Sequence, residues 1–242
     1  MPTFERDGVS IYYEEYGSGY PLVLFAPGGM RSSIEFWSKS PFDPTKELAS
    51  DFRVIAMDQR NAGKSGAPLS ANDGWESYAA DHVWLLDHLK ISRCHLMGGC
   101  IGSSYCLGVI KSASDRVSAA VLQNPIGLSE TNRAMFRAMF DGWAEALQPS
   151  HAEIDEAGLR AFRERMYGGD FVFSVSRDFV RSVRTPLLIL MGSDDYHPTP
   201  TSEEIARLAP NAQLMRGWKT PDLIPTTIER VRQFLRSNTP QS

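Results

Sequence analysis

Cysteine and histidine are scarce in this chain. Of 242 residues, three are Cys and five are His. Three Cys is an odd, sparse set that suits a reducing compartment, so a cytoplasmic location is expected. Cys94 and Cys100 would stand ~20 Å apart at the ends of an extended strand. Cys100 and Cys106 would fall about 240° apart around a helix. Neither pair suits a disulfide. His82, His88, His95, His151 and His197 show no zinc-type spacing with a third ligand nearby, so no metal site is expected. Long apolar runs are also missing, and nothing approaches the ~18 residues of a membrane span. Residues 1–7 lack the apolar stretch of a secretory signal. There is no basic run either. Lys and Arg total 25 against 29 Asp and Glu, a net charge of −4, which disfavours nucleic acid and anionic membranes as partners.

What remains is an ordinary globular composition, 42% apolar, with room for one large domain or a core with a modest insertion. Short apolar runs at 10–15, 21–26, 53–57, 95–97, 117–123 and 186–191 read as strands, the second nearly continuous, as in a strand buried on both faces. Helical spacing recurs at 75–90, 101–111, 202–208 and 226–235. Strand–helix alternation predicts βαβ units, hence an α/β fold with a mostly parallel sheet. Residues 127–184 break the alternation. Phe136, Phe140, Trp143 and Leu147 make one helical stripe, and Leu159, Phe162 and Met166 suggest a second helix. The expected organisation is a core in two parts, 1–126 and 185–242, with a helical insertion at 127–184.

The most informative stretch is Gly98-Gly99-Cys100-Ile101-Gly102, a Gly-x-nucleophile-x-Gly pattern between a strand and a helix. Such a turn is tight and strained, so side chains flanking the nucleophile would clash. It lifts the central side chain above the sheet at a helix N-terminus, where backbone N–H groups and the helix dipole face developing negative charge.

With this motif the chain resembles the α/β-hydrolase fold. Pro27-Gly28-Gly29-Met30 follows the third strand, where that family builds half of its oxyanion hole. Asp58-Gln59-Arg60-Asn61-Ala62-Gly63-Lys64-Ser65 matches the family's Asp-x-Arg-x-x-Gly-x-Ser turn. Gly192-Ser193-Asp194-Asp195 stands where the family carries its catalytic acid, with Asp195 the better match and Asp194 a turn residue. The insertion stands where the family carries its cap. The resemblance implies a hydrolase of a small ester, lactone or thioester, needing no cofactor and acting on a small-molecule substrate; a homo-oligomer is left open. Two departures stand out. The nucleophile position holds Cys, as in dienelactone hydrolases, and the family's His after the last strand is missing, Trp218 or Lys219 occupying the place. His197, two residues after Asp195, is the candidate replacement base. A thiol is already a few per cent ionised at neutral pH, so Cys100 could attack where serine could not.

The remaining site expectations follow from that resemblance. Ile101 with Gly29 or Met30 would supply oxyanion donors. Phe136, Phe140 and Trp143 would roof the substrate, although such a stripe also packs a helix onto its neighbours. Trp218 would fill the volume of the absent His. Two rival functions share the scaffold: a binding or receptor pocket that has lost hydrolysis, and a cofactor-free lyase or isomerase.

Overall fold

A computed structural model of the protein describes residues 2–241. Its strands are β1 (Thr3–Arg6), β2 (Val9–Tyr16), β3 (Tyr20–Phe25), β4 (Phe52–Met57), β5 (Cys94–Gly99), β6 (Val117–Gln123), β7 (Leu187–Leu190) and β8 (Ala212–Met215). They form one sheet in the order β1-β2-β4-β3-β5-β6-β7-β8. The β1–β2 and β2–β4 pairs are antiparallel, and the other pairs are parallel. The helices are α1 (Pro44–Glu47), α2 (Trp75–His88), α3 (Ile101–Ala113), α4 (Arg133–Leu147), α5 (Glu156–Tyr167), α6 (Arg177–Ser182), α7 (Thr199–Leu208) and α8 (Ile224–Ser237). Between β6 and β7 the described elements are all helical, α4 to α6 with a short 3-10 turn.

Alternation along the strands sets the two layers. Val23 and Phe25 of β3 join the core under α2, α3 and α4, while Leu22 and Leu24 face the core beneath α8. Both faces are covered, which is why the central strands read as unbroken apolar runs. The edge strands β1 and β8 escaped the sequence pattern. Each has four residues, and most of their side chains are exposed or half-buried.

The Asp58–Ser65 turn is a structural weld. Asp58 accepts the backbone N–H groups of Ile34 and Lys64, both at 2.7 Å. Ser65 Oγ donates to Asp58 O and accepts from Tyr12 N. Arg60 is buried against two carboxylates. It donates to Asp81 at 2.7 and 2.9 Å and to Asp73 at 2.7 Å. Removing one member of such a buried network strands the others. Arg60→Met is therefore expected to destabilise the fold by about 3–5 kcal/mol. Urea unfolding checks this; a loss below 1 kcal/mol, the ceiling for most surface pairs, would contradict it.

Candidate active site

Cys100 lies between β5 and α3, at the N-cap of the helix, with φ 57° and ψ −120°. A non-glycine residue there stores strain, and the two flanking glycines explain how the chain tolerates it. A Cβ on Gly98 would come within 2.0 Å of Gly102 O, and a Cβ on Gly102 within 2.0 Å of Phe25 O. The turn is anchored by Cys100 N–H donating to Gln123 O at 2.9 Å and Ser103 N–H to Cys100 O at 3.1 Å. Among the three cysteines, Cys100 is the one that is partly exposed; Cys94 and Cys106 are buried. Burial raises the thiols of Cys94, to about 12, and of Cys106, and so keeps them inert.

His197 reaches the same point from the loop after β7. Gly192 permits the loop to fold in, since a Cβ there would lie 2.4 Å from His197 O. Asp194 is the pivot. Its carboxylate accepts the backbone N–H groups of Tyr196 and His197, each at 3.1 Å. The same oxygen stands 2.7 Å from His197 Nδ1. The carboxylate paired with His197 is therefore that of Asp194 and not that of Asp195, the expected acid. Asp194 and Asp195 are both exposed, and Asp195 is tied down through its carbonyl, which accepts from Asn132 Nδ2 at 2.8 Å. The turn chemistry that made Asp194 look merely structural is what aims it at the ring.

The other ring nitrogen, Nε2, is buried and has no partner aligned as a hydrogen bond. The His197 and Cys100 side chains are near enough to stabilise each other's charge. Burial pushes the Cys100 thiol up, but His197 and the backbone N–H groups of Ile101 and Gly28 outweigh burial and hold it below its ordinary value. Burial likewise opposes charge on His197; Cys100 and Asp194 overcome it and raise the imidazole to about 9. Each group thus favours the charged form of the other.

The backbone N–H groups that act on the sulfur are those of Ile101, one of the expected donors, and of Gly28, the neighbour of Gly29. Met30 is buried in the core, and Gly29 lies under the side chain of Met139 from α4. Met139 of α4 thus meets the loop after β3, as does Gly142, whose carbonyl accepts from Arg31. Its spacing from the aromatic stripe, one turn from Phe136, was the available signal.

The aromatic roof is not formed. Phe136 and Phe140 are buried at 1% and 0% exposure. Phe136 stacks on Tyr167 and meets Phe173 edge-on, while Phe140 packs on Trp143 and Phe162. These rings hold α4 against α5 rather than wall a site. Trp143 donates to Asn61 O at 3.1 Å and borders a hollow of about 460 Å³ with Arg31, Phe36, Leu147 and His151, which does not include Cys100. Trp218 lies in the core beneath α8 and donates to Met191 O at 2.9 Å, so its role is packing. His82 belongs to α2. It is buried against Phe25, with Nε2 2.7 Å from Gln59 Oε1, and burial lowers it to about 3, which keeps it neutral.

The sheet, the strained elbow and the loop after β7 define a protein of the α/β-hydrolase class. A family model described as alpha/beta hydrolase fold matches residues 21–162, more than half of the chain, and the chain belongs to that family. It is 27% identical over 254 residues to a non-heme haloperoxidase of Rhodococcus erythropolis, covering 86% of this chain and 87% of that one. It is 26% identical over 261 residues to a bifunctional esterase/perhydrolase of Acinetobacter calcoaceticus, covering 92% of each. The chain spans about half or less of the length of the curated relatives that it matches at 30–32% identity. Among solved structures, the meta-cleavage product hydrolase of Pseudomonas fluorescens IP01 aligns over 99% of this chain and 98% of its own, with a TM-score of 0.72 and 19% identity. That likeness concerns the fold. Among the described residues no helix is long and apolar enough to cross a membrane.

Proposed function

We propose that this protein is a cysteine-nucleophile hydrolase of small esters, lactones or thioesters, working through Cys100, His197 and Asp194. The observation that carries the reading is Asp194 Oδ1 at 2.7 Å from His197 Nδ1, beside a thiol that His197 holds below its ordinary pKa. Esterase activity belongs to the Acinetobacter relative by name and agrees with this chemistry.

The thiolate attacks the acyl carbonyl carbon and forms a C–S bond. The carbonyl electron pair moves onto oxygen, where the N–H groups of Ile101 and Gly28 receive the charge. Collapse restores the carbonyl and breaks the bond to the leaving group, which takes its proton from His197 Nε2. The imidazole is then neutral and serves as base for water. Attack of that water on the thioester releases the acid and restores the thiolate–imidazolium pair. Asp194 fixes the tautomer and steadies the imidazolium, as the third member of a nucleophile–base–acid triad does. The helices between β6 and β7 act as a cap over the oxyanion loop, through Met139.

Two carboxylate variants test the triad. Asp194→Asn is expected to lower kcat/KM by about ten- to a hundredfold, since a hydrogen bond to a charged group contributes roughly 1.5–3 kcal/mol. Asp195→Asn is expected to stay near wild type. The reverse ranking in a 4-nitrophenyl ester assay would return the acid's role to Asp195.

A further inference from the structure

Three tyrosines converge behind Cys100 from three different elements: Tyr78 of α2, Tyr105 of α3 and Tyr167 at the end of α5. They are 0%, 2% and 0% exposed. The rings of Tyr78 and Tyr105 stack at 5.1 Å, and Trp75 lies 5.5 Å from Tyr105 and 6.3 Å from Tyr167. All three hydroxyls are buried without a hydrogen-bond partner. Each such orphan costs roughly 1–3 kcal/mol unless something satisfies it, and native interiors seldom leave three together. The hydroxyls are near enough to raise one another, and Tyr105 and Tyr167 are each raised further by the charge on Cys100. Tyr105 stands on α3, whose N-cap is Cys100, and Tyr167 stacks on Phe136, which meets Tyr196 beside His197, so the cluster borders the Cys100–His197 pair.

Its place in the sheet fixes which half of a substrate it meets. Tyr105 packs 6.2 Å from Phe25 of β3, on one flank of β5. His197 comes from beyond β6 and β7, on the other flank. The leaving group departs where His197 can protonate it, so the acyl chain extends toward the tyrosines. Charge narrows the occupant. The cation that reaches Tyr78 is Arg60, 5.6 Å from the ring, and it is already matched by Asp73 and Asp81. A carboxylate would meet a surplus of negative charge. Neutral hydroxyls both donate and accept, and so suit a neutral oxygen.

We propose that the Tyr78, Tyr105 and Tyr167 hydroxyls form a recognition niche for a neutral oxygen function, a ketone or hydroxyl, carried on the substrate's acyl chain. This inference rests on the hydrolase reading above and names its substrate class. The Phe substitutions keep the rings, so the fold is retained and only the hydroxyls are lost.

The test compares 4-nitrophenyl hexanoate with its 4-oxo and 5-oxo counterparts. Wild-type protein is expected to prefer one oxo ester by about tenfold in kcat/KM, the worth of a well-made neutral hydrogen bond. In Tyr105→Phe and Tyr167→Phe that ratio is expected to fall to within about twofold, whatever the variants do to hexanoate itself. Calorimetric binding of the methyl oxohexanoates and methyl hexanoate to Cys100→Ala gives an arm independent of turnover, with the same order of preference expected. Binding preference without turnover would overturn the hydrolase reading and keep the niche. Turnover with equal rates and equal binding would overturn the niche, leaving ordered water as its occupant. Loss of both overturns both.

Discussion

Cys100→Ala is expected to lower kcat/KM for activated esters by about 10⁴-fold or more, as loss of a covalent nucleophile does. The protein should remain folded. Alanine removes only the sulfur, and the strain at φ 57° belongs to the backbone, which Gly98 and Gly102 accommodate. Cys100→Ser separates position from ionisation. It keeps an oxygen at the elbow but loses the resting anion, because a hydroxyl does not ionise near neutral pH. It is expected to lose roughly 10²–10⁴-fold, the scale of a proton transfer that must now occur during attack. Mass spectrometry after brief mixing with a 4-nitrophenyl ester should find the acyl group on Cys100 in wild type and none in Cys100→Ala. Undiminished hydrolysis by Cys100→Ala would remove the nucleophile from the proposal and favour the reading of a pocket that has lost hydrolysis.

Local sterics were legible in the sequence, and long-range aim was not. The elbow could be read because its glycines answer to contacts within five residues and to one neighbouring strand: Gly98 against Gly102, Gly102 against Phe25. The parallel core could be read because β3 to β7 are buried on both faces. Asp194 and Asp195 could not be told apart by spacing. What separates them is which carboxylate collects the Tyr196 and His197 N–H groups when the loop closes, and that depends on Gly192 yielding to the His197 backbone. Phe136 and Phe140 show why periodicity names a face without naming its neighbour. The same stripe suits a substrate roof and a helix contact, and α5 took it. The tyrosine cluster left no local trace at all, since Tyr78, Tyr105 and Tyr167 meet only in three dimensions.

The sharpest consequence of the Cys100–His197 pairing is its pH dependence. The Cys100 thiol is held below its ordinary value, and His197 is raised to about 9. As pH rises, kcat/KM should first climb as the thiol ionises, at a lower pH than a free thiol would. It should then fall near pH 9, where His197 loses the proton the leaving group needs. The two groups titrate as a coupled pair, so both limbs belong to the pair and not to either residue alone. His197→Ala removes the positive charge from beside the sulfur. Burial then acts against only the Ile101 and Gly28 N–H groups, and the thiol must titrate at higher pH. The lower limb should move upward, and the fall near pH 9 should vanish with the imidazole. Ester turnover should drop by about 10²–10⁴-fold, the usual contribution of a positioned acid–base group. Thioesters should suffer less, because a thiolate leaves without a proton. Iodoacetamide labelling of Cys100 against pH reads the thiol directly, free of any substrate. If its inflection is the same in wild type and His197→Ala, the two side chains do not share charge and Cys100 works without a base.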